Sequence, residues 1–147
     1  MKKLLISRCL IGDKCRYDGL AKPLPASTLE ALKKKYELIP ICPEVMGGLT
    51  TPRIANERRE NRVIRKDGVD VSKAFYDGAN QCLDIAKKTH VDIALLKERS
   101  PSCGVHFIYD GSFLGHLIPG EGVFKELLRE KTDIKIYSEE EIDQLLK

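Results

Sequence analysis

The chain has 147 residues, a formal net charge of +3 and 32% charged side chains. That length suits one domain with a sizeable core, and so small a charge gives no reason to expect nucleic acid as a partner. No apolar run reaches the length of a membrane span, the stretch after Met1-Lys2-Lys3 is too short for a secretory signal, and an odd five cysteines argue against a disulfide framework. The expectation is a cytoplasmic protein whose cysteines serve as metal ligands or catalytic groups.

Residues 3–8 read as a first strand, running into Ser7-Arg8-Cys9. The turn-rich loop from Cys9 to Pro25 is long for a structureless connection, which favours a functional loop. Ser27 and Glu30 form the pattern of a capping box, with Leu29, Leu32 and Tyr36 on one face of the helix behind it. A second strand over 37–41 runs into Cys42-Pro43-Glu44. Pro43, Gly47, Gly48 and Pro52 disfavour regular structure after it.

Residues 53–66 are rich in arginine, and Val63-Ile64, Asp67-Gly68 and Val69 suggest a small charged hairpin. Ser72 is placed to cap a helix to about Thr89, whose apolar stripe includes Phe75, Ala79, Cys82 and Ala86. A third strand over 92–97 leads to Ser100-Pro101-Ser102-Cys103-Gly104. Phe107-Ile108-Tyr109 and Phe113-Leu114, split by Asp110-Gly111, read as a second hairpin. A helix from Glu121 to Lys131, a strand over 134–137 and a last helix capped by Ser138 and Glu141 complete the pattern.

Alternating strands and helices predict a single α/β domain over residues 1–147: a short, mainly parallel sheet flanked by helices, doubly wound and Rossmann-like. Numbering the parallel strands in chain order, 2-1-3-4 sets the first three side by side. Each of those three ends in a cysteine, and the carboxyl ends of parallel strands are where such sheets bind ligands. Cys9, Cys42 and Cys103 are thus predicted to converge on one rim. The alternative is three unrelated buried thiols. Cys15 is open to a role as fourth ligand, resolving thiol or bystander, and Cys82, on an apolar helix stripe, reads as core. Thiolates favour zinc, copper(I) or an iron–sulfur cluster. No Cys-x-x-Cys pair supports a thioredoxin or zinc-ribbon site.

Around the cysteines, Glu44 is a candidate general acid/base, and Lys97, Ser100 and Ser102 flank Cys103. Arg16, Tyr17 and Asp18 are candidates to line the same rim, and the arginines of 53–66 to close over an anionic or nucleobase-like ligand or to form a solvated face. His90, His106 and His116 show no ligand spacing.

Taken together, Cys9-Leu10-Ile11-Gly12, Arg16-Tyr17-Asp18-Gly19, Cys42-Pro43-Glu44 with Gly47-Gly48-Leu49 and Pro52-Arg53, and the run from Lys97 to Gly104 resemble one bacterial domain family. It is the family, long of unknown function, that includes thiouracil desulfidase. Asp110-Gly111 and Gly120-Glu121-Gly122-Val123 extend the resemblance over nearly the whole chain. The resemblance implies a 4Fe–4S cluster held by Cys9, Cys42 and Cys103, with Glu44, Ser102, Lys97 and Ser100 as catalytic-site residues. It implies a non-redox desulfidase that takes sulfur from a thiolated nucleobase or similar small thione and releases hydrosulfide. A non-catalytic iron–sulfur or sulfur carrier and a zinc-binding domain are the alternatives.

Overall fold

Four short strands pair in parallel at the centre of the computed structural model, which describes residues 1–147. In chain order the elements are β1 (Lys2–Ser7), α1 (Ala26–Lys35), β2 (Tyr36–Ile41), α2 (Pro43–Met46), β3 (Asn56–Arg59), β4 (Arg62–Arg65) and α3 (Ser72–Lys88). Then follow β5 (Ile93–Leu96), β6 (Phe107–Tyr109), β7 (Leu117–Pro119), α4 (Val123–Lys131) and β8 (Lys135–Ser138). Two 3₁₀ turns, Arg8–Ile11 and Glu139–Gln144, follow β1 and β8.

The sheet order is β2-β1-β5-β8, all parallel, which is the 2-1-3-4 order expected. Alternation along the strands feeds two cores, one on each face. Leu5, Ala94 and Leu96 pack with Phe75, Ala79 and Cys82 of α3 and with Phe124 and Leu128 of α4. Leu4, Ile6 and Leu95 pack with Leu32 of α1, Tyr36 and Leu145. Both faces are therefore covered, as a doubly wound sheet requires. Each fully buried Leu or Ile contributes roughly 1.5–3 kcal/mol, so the short strands are held by both layers together. Cys82 is core, its sulfur against the Met46 sulfur at 3.4 Å. No helix is long and apolar enough to cross a membrane.

Several local expectations are corrected. Ser27 does not cap α1: Pro25 is already the N-cap residue, and Ser27 lies inside the first turn. Ser72 does not cap α3 either; its hydroxyl accepts from the Val63 N–H at 2.8 Å, while Asp70 accepts from the Ser72 N–H. The charged hairpin pairs β3 with β4 around Glu60 and Asn61. The Asp67-Gly68 turn comes after it and returns the chain to a single bridge between Ile64 and Asp70. In the second hairpin β6 pairs with β7, not with Phe113-Leu114. The N–H groups of Gly111 and Phe113 are drawn instead to Glu57 Oε1, which holds that segment as a loop. The Ser138–Glu141 capping box is present, but it starts a 3₁₀ turn rather than an α-helix.

Two close backbone approaches place the loops that follow the strands. A Cβ on Gly78 of α3 would overlap the Pro43 carbonyl oxygen, so only glycine lets α2 lie this near α3. A Cβ on Gly122 would overlap the Ser102 carbonyl group. There the loop carrying Cys103 sits on the start of α4, with the Phe124 N–H donating to the Ser102 carbonyl at 2.9 Å.

Candidate active site

Cys9 lies in the 3₁₀ turn just beyond β1, Cys42 at the residue after β2, and Cys103 in the loop after β5. All three are buried and line one cavity of about 820 Å³, together with Cys15, Glu44, Lys97, Ser100 and Ser102. The convergence read from the strand ends is therefore found, and none of the five cysteines is in a disulfide.

Burial pushes the Cys9 thiol up to about 11, against the pull of Lys97. Burial also raises Cys103, opposed by the Ser7 and Ser102 hydroxyls. Cys42 goes the other way, to about 7, because the Cys15 thiol donates a hydrogen bond to it; Cys15 is raised to match. Cys15 is thus a neighbour of Cys42 on the same cavity wall. Burial raises Cys82 to about 12, as suits an inert core thiol.

The Glu44 carboxylate is held at both oxygens. Oε1 accepts from Arg53 Nη2 at 2.7 Å and from Arg53 Nε at 3.2 Å. Oε2 accepts from the Ser102 hydroxyl at 2.8 Å. The two side chains of the ion pair are only 11% and 7% exposed. The remaining N–H groups of Arg53 go to the Thr50 carbonyl, Thr51 Oγ1 and the Cys15 carbonyl, so the guanidinium has a fixed seat.

Hydrogen-bond accounting orders the serines. Ser100 Oγ accepts from the N–H groups of Ser102 at 3.1 Å and Cys103 at 3.0 Å. Both lone pairs are then engaged, and its proton is left for Ser102 Oγ at 2.9 Å. The direction runs Ser100 to Ser102 to Glu44. Ser102 Oγ also lies 3.7 Å from the Cys103 sulfur, but its single proton serves one acceptor at a time.

Lys97 lines the cavity with its ammonium engaged, 2.7 Å from Glu139 and donating to the Glu98 carbonyl at 3.0 Å. Arg16 and Tyr17 are on the wall, whereas Asp18 turns away to pair with Arg16. Of the arginines in 53–66 only Arg53 reaches the cavity. Arg58 is buried elsewhere against Glu126 and the Glu121 carbonyl. His106 and His116 pair with Glu141 and Asp110, off the cavity.

Four residues of the site have individual roles that the sequence does not assign. Arg53 is one arginine among several until the fold sets it on Glu44. Ser7 accepts from the Lys97 N–H at 3.0 Å and turns its hydroxyl to Cys103. Glu139 accepts from the Glu98 N–H at 2.7 Å. Buried Glu98 anchors the loop after Cys103 by accepting from the N–H groups of Val105, His106 and Phe107 at one oxygen. Burial opposes the charge of Glu98, but those backbone donors outweigh it and hold the carboxyl below its usual range.

No group of three His, Cys, Asp or Glu side chains is gathered tightly enough for a single metal ion. The three thiols nevertheless line the same cavity. An all-sulfur set of three donors fits an iron–sulfur cluster in its chemistry.

A model of the 2-thiouracil desulfurase family matches residues 4–141. The uncharacterized protein YbbK of Bacillus subtilis (strain 168) is 33% identical over 153 residues, covering 97% of this chain and 99% of that protein. A solved structure of the 4Fe–4S-dependent thiouracil desulfidase TudS is similar to this chain with a TM-score of 0.93 and 40% identity, over 99% of this chain and 95% of that one.

Proposed function

The chain belongs to the 2-thiouracil desulfurase family, and from that premise we propose that it is a 4Fe–4S-dependent, non-redox desulfidase acting on a thiolated nucleobase or similar small thione. One observation carries the reading: three buried thiols and a fixed carboxylate–hydroxyl pair share a single cavity. Cys9, Cys42 and Cys103 are the residues to hold the cluster. A cluster held by these three thiolates would supply Lewis-acid chemistry toward the thione sulfur.

The overall change is hydrolysis: water and a thione give the oxo compound and hydrogen sulfide. Both protons of the attacking water must leave its oxygen, one as it attacks and one as the carbonyl forms; the sulfur takes up one to depart as hydrosulfide, and the second ends on hydrosulfide in solution. Glu44 Oε2 is the acceptor for the first. Once protonated, that oxygen donates to Ser102 Oγ while the Ser102 proton turns toward the sulfur-lined side, so the proton taken from water is passed to the departing sulfur and Glu44 is left ionised; Ser100, hydrogen-bonded to Ser102 Oγ, orients it. Arg53 fixes Oε1, so the carboxylate does not swing out of line. Lys97, already paired with Glu139, sets charge near Cys9 rather than carrying protons.

Protein purified without air should contain about four irons and about four labile sulfides per chain, and should release sulfide from 2-thiouracil. Stoichiometric zinc with no labile sulfide would overturn the reading, and a stable cluster with no turnover of any thione would favour a carrier.

A further inference from the structure

One buried polar side-chain atom in the chain lacks a hydrogen-bond partner, and it belongs to the wall of this cavity. It is Oδ1 of Asn56. Asn56 opens β3, its backbone opposite Arg65, and is 9% exposed. A buried amide oxygen with nothing to accept from is rare, and an orphan of this kind points to a partner outside the chain. Three charged neighbours on the same wall are already engaged with other groups. Glu44 is held by Arg53 and Ser102, Lys97 by Glu139, and Glu57 by the N–H groups of Gly111 and Phe113. No bond to Oδ1 pins the Asn56 amide, and the torsion that turns such a group is broad and roughly two-fold. A half-turn about that torsion exchanges the places of Oδ1 and Nδ2, so either end of the amide can meet a partner at this wall.

We propose that Asn56 is the specificity-determining residue of the cavity, its carboxamide pairing with the ring N–H next to the thione carbon of a cyclic thioamide or thiourea. The proposal rests on the desulfidase reading and narrows its substrate class. In a thiolated pyrimidine the thione carbon is flanked by ring N–H groups, and the ring edge alternates donors with carbonyl acceptors. A carboxamide carries one acceptor and two donors, so it can meet such an edge with two hydrogen bonds at once. A thione alkylated at both ring nitrogens leaves Oδ1 unpaired and is rejected.

The test is binding of the oxo product, which needs no turnover. Anaerobically prepared holoprotein and its Asn56→Ala variant are titrated calorimetrically with uracil and with 1,3-dimethyluracil. The wild type should prefer uracil by roughly ten- to hundredfold, the range expected for one buried partner lost. The variant should retain little of that preference, and it should melt no lower than wild type, since the change removes an unpaired group. An unchanged preference, including equal weakening of both ligands, would overturn the proposal. That outcome would leave Oδ1 to an ordinary bridging water. Failure of the wild type to bind uracil would overturn it too. Sulfide release from 2-thiouracil, assayed in parallel, separates the two readings. Release with no Asn56-dependent preference sinks only the specificity role, and an Asn56-dependent preference with no release sinks only the desulfidase.

Discussion

Replacing Glu44 by glutamine removes the proposed proton acceptor while keeping its shape. The surroundings tolerate the change in a way that can be worked out bond by bond. Arg53 loses part of its pairing with Oε1 but keeps its bonds to Thr50, Thr51 and the Cys15 carbonyl, so the guanidinium stays seated. The amide that replaces the carboxylate can still offer its carbonyl to Arg53 and turn its N–H toward Ser102 Oγ, which reverses the direction of the Ser102 bond. The charge of Arg53 is left uncompensated in a nearly dry site, where breaking a buried pair costs roughly 3–5 kcal/mol. With the amide oxygen retained, we expect the low end, about 3 kcal/mol, or a melting temperature lower by about 6–12 °C for a chain of this size. General acid/base groups contribute about 10²–10⁴ in rate. The assay is sulfide release from 2-thiouracil under anaerobic conditions, with cluster absorption recorded on the same sample. The expected result is an intact cluster and turnover slower by at least about a hundredfold. Near-normal turnover would refute the role given to Glu44, and loss of the cluster would make the residue structural.

Cys9→Ser, Cys42→Ser and Cys103→Ser should each abolish iron binding, while Cys82→Ser should retain the cluster and lower stability alone. If Cys15→Ser loses iron and one of the first three does not, the ligand assignment is wrong. Glu121 sets an acid limb of stability. Burial works against its charge, but Arg129 and Lys125 outweigh this and hold its carboxyl down to about 2. Because the folded value is depressed, its contribution is complete above the ordinary 4.5 and disappears as pH falls toward 2. Urea unfolding should therefore find Glu121→Gln less stable than wild type at neutral pH and equal to it near the bottom of that window; a pH-independent gap would contradict this. Gly78→Ala should push α2 away from α3, costing about 1–3 kcal/mol or more in thermal unfolding and lowering sulfide release. Unchanged behaviour would mean that the helix pair is not what positions Glu44.

The sheet order is legible in the sequence because each parallel strand is a short apolar run closed by its own turn, and the cysteines ride on those ends. The core role of Cys82 follows equally from helical spacing. Caps are less legible, because a Ser-x-x-Glu pattern is local while the start of a helix is set by what precedes it. Pro25 starts α1 ahead of Ser27, and the Val63 N–H claims the Ser72 hydroxyl. Hairpin register fails for the same reason, since Glu57 reaches across from another strand to take the N–H groups of Gly111 and Phe113. In the site, Glu44 is visible beside Cys42, but the pairing of Arg53 with it and the unpartnered oxygen of Asn56 are not. A solvated arginine and a buried one are spelled alike, and an unpartnered amide exists only once the walls around it exist.

The spread of the three cysteines over the chain bears on how the protein is made. Cys103 follows β5, and β5 takes its place only by pairing with β1 on one side and β8 on the other. A ribosome that has delivered Cys9 and Cys42 has therefore not delivered a site. Closing so long a loop is slow compared with the pairing of adjacent segments. Short-range pairs such as Cys-x-x-Cys can capture metal on a nascent chain, and this arrangement cannot. The three thiols meet only once β1, β2 and β5 are paired, so a cluster held by them would be taken up by a chain whose sheet is already formed.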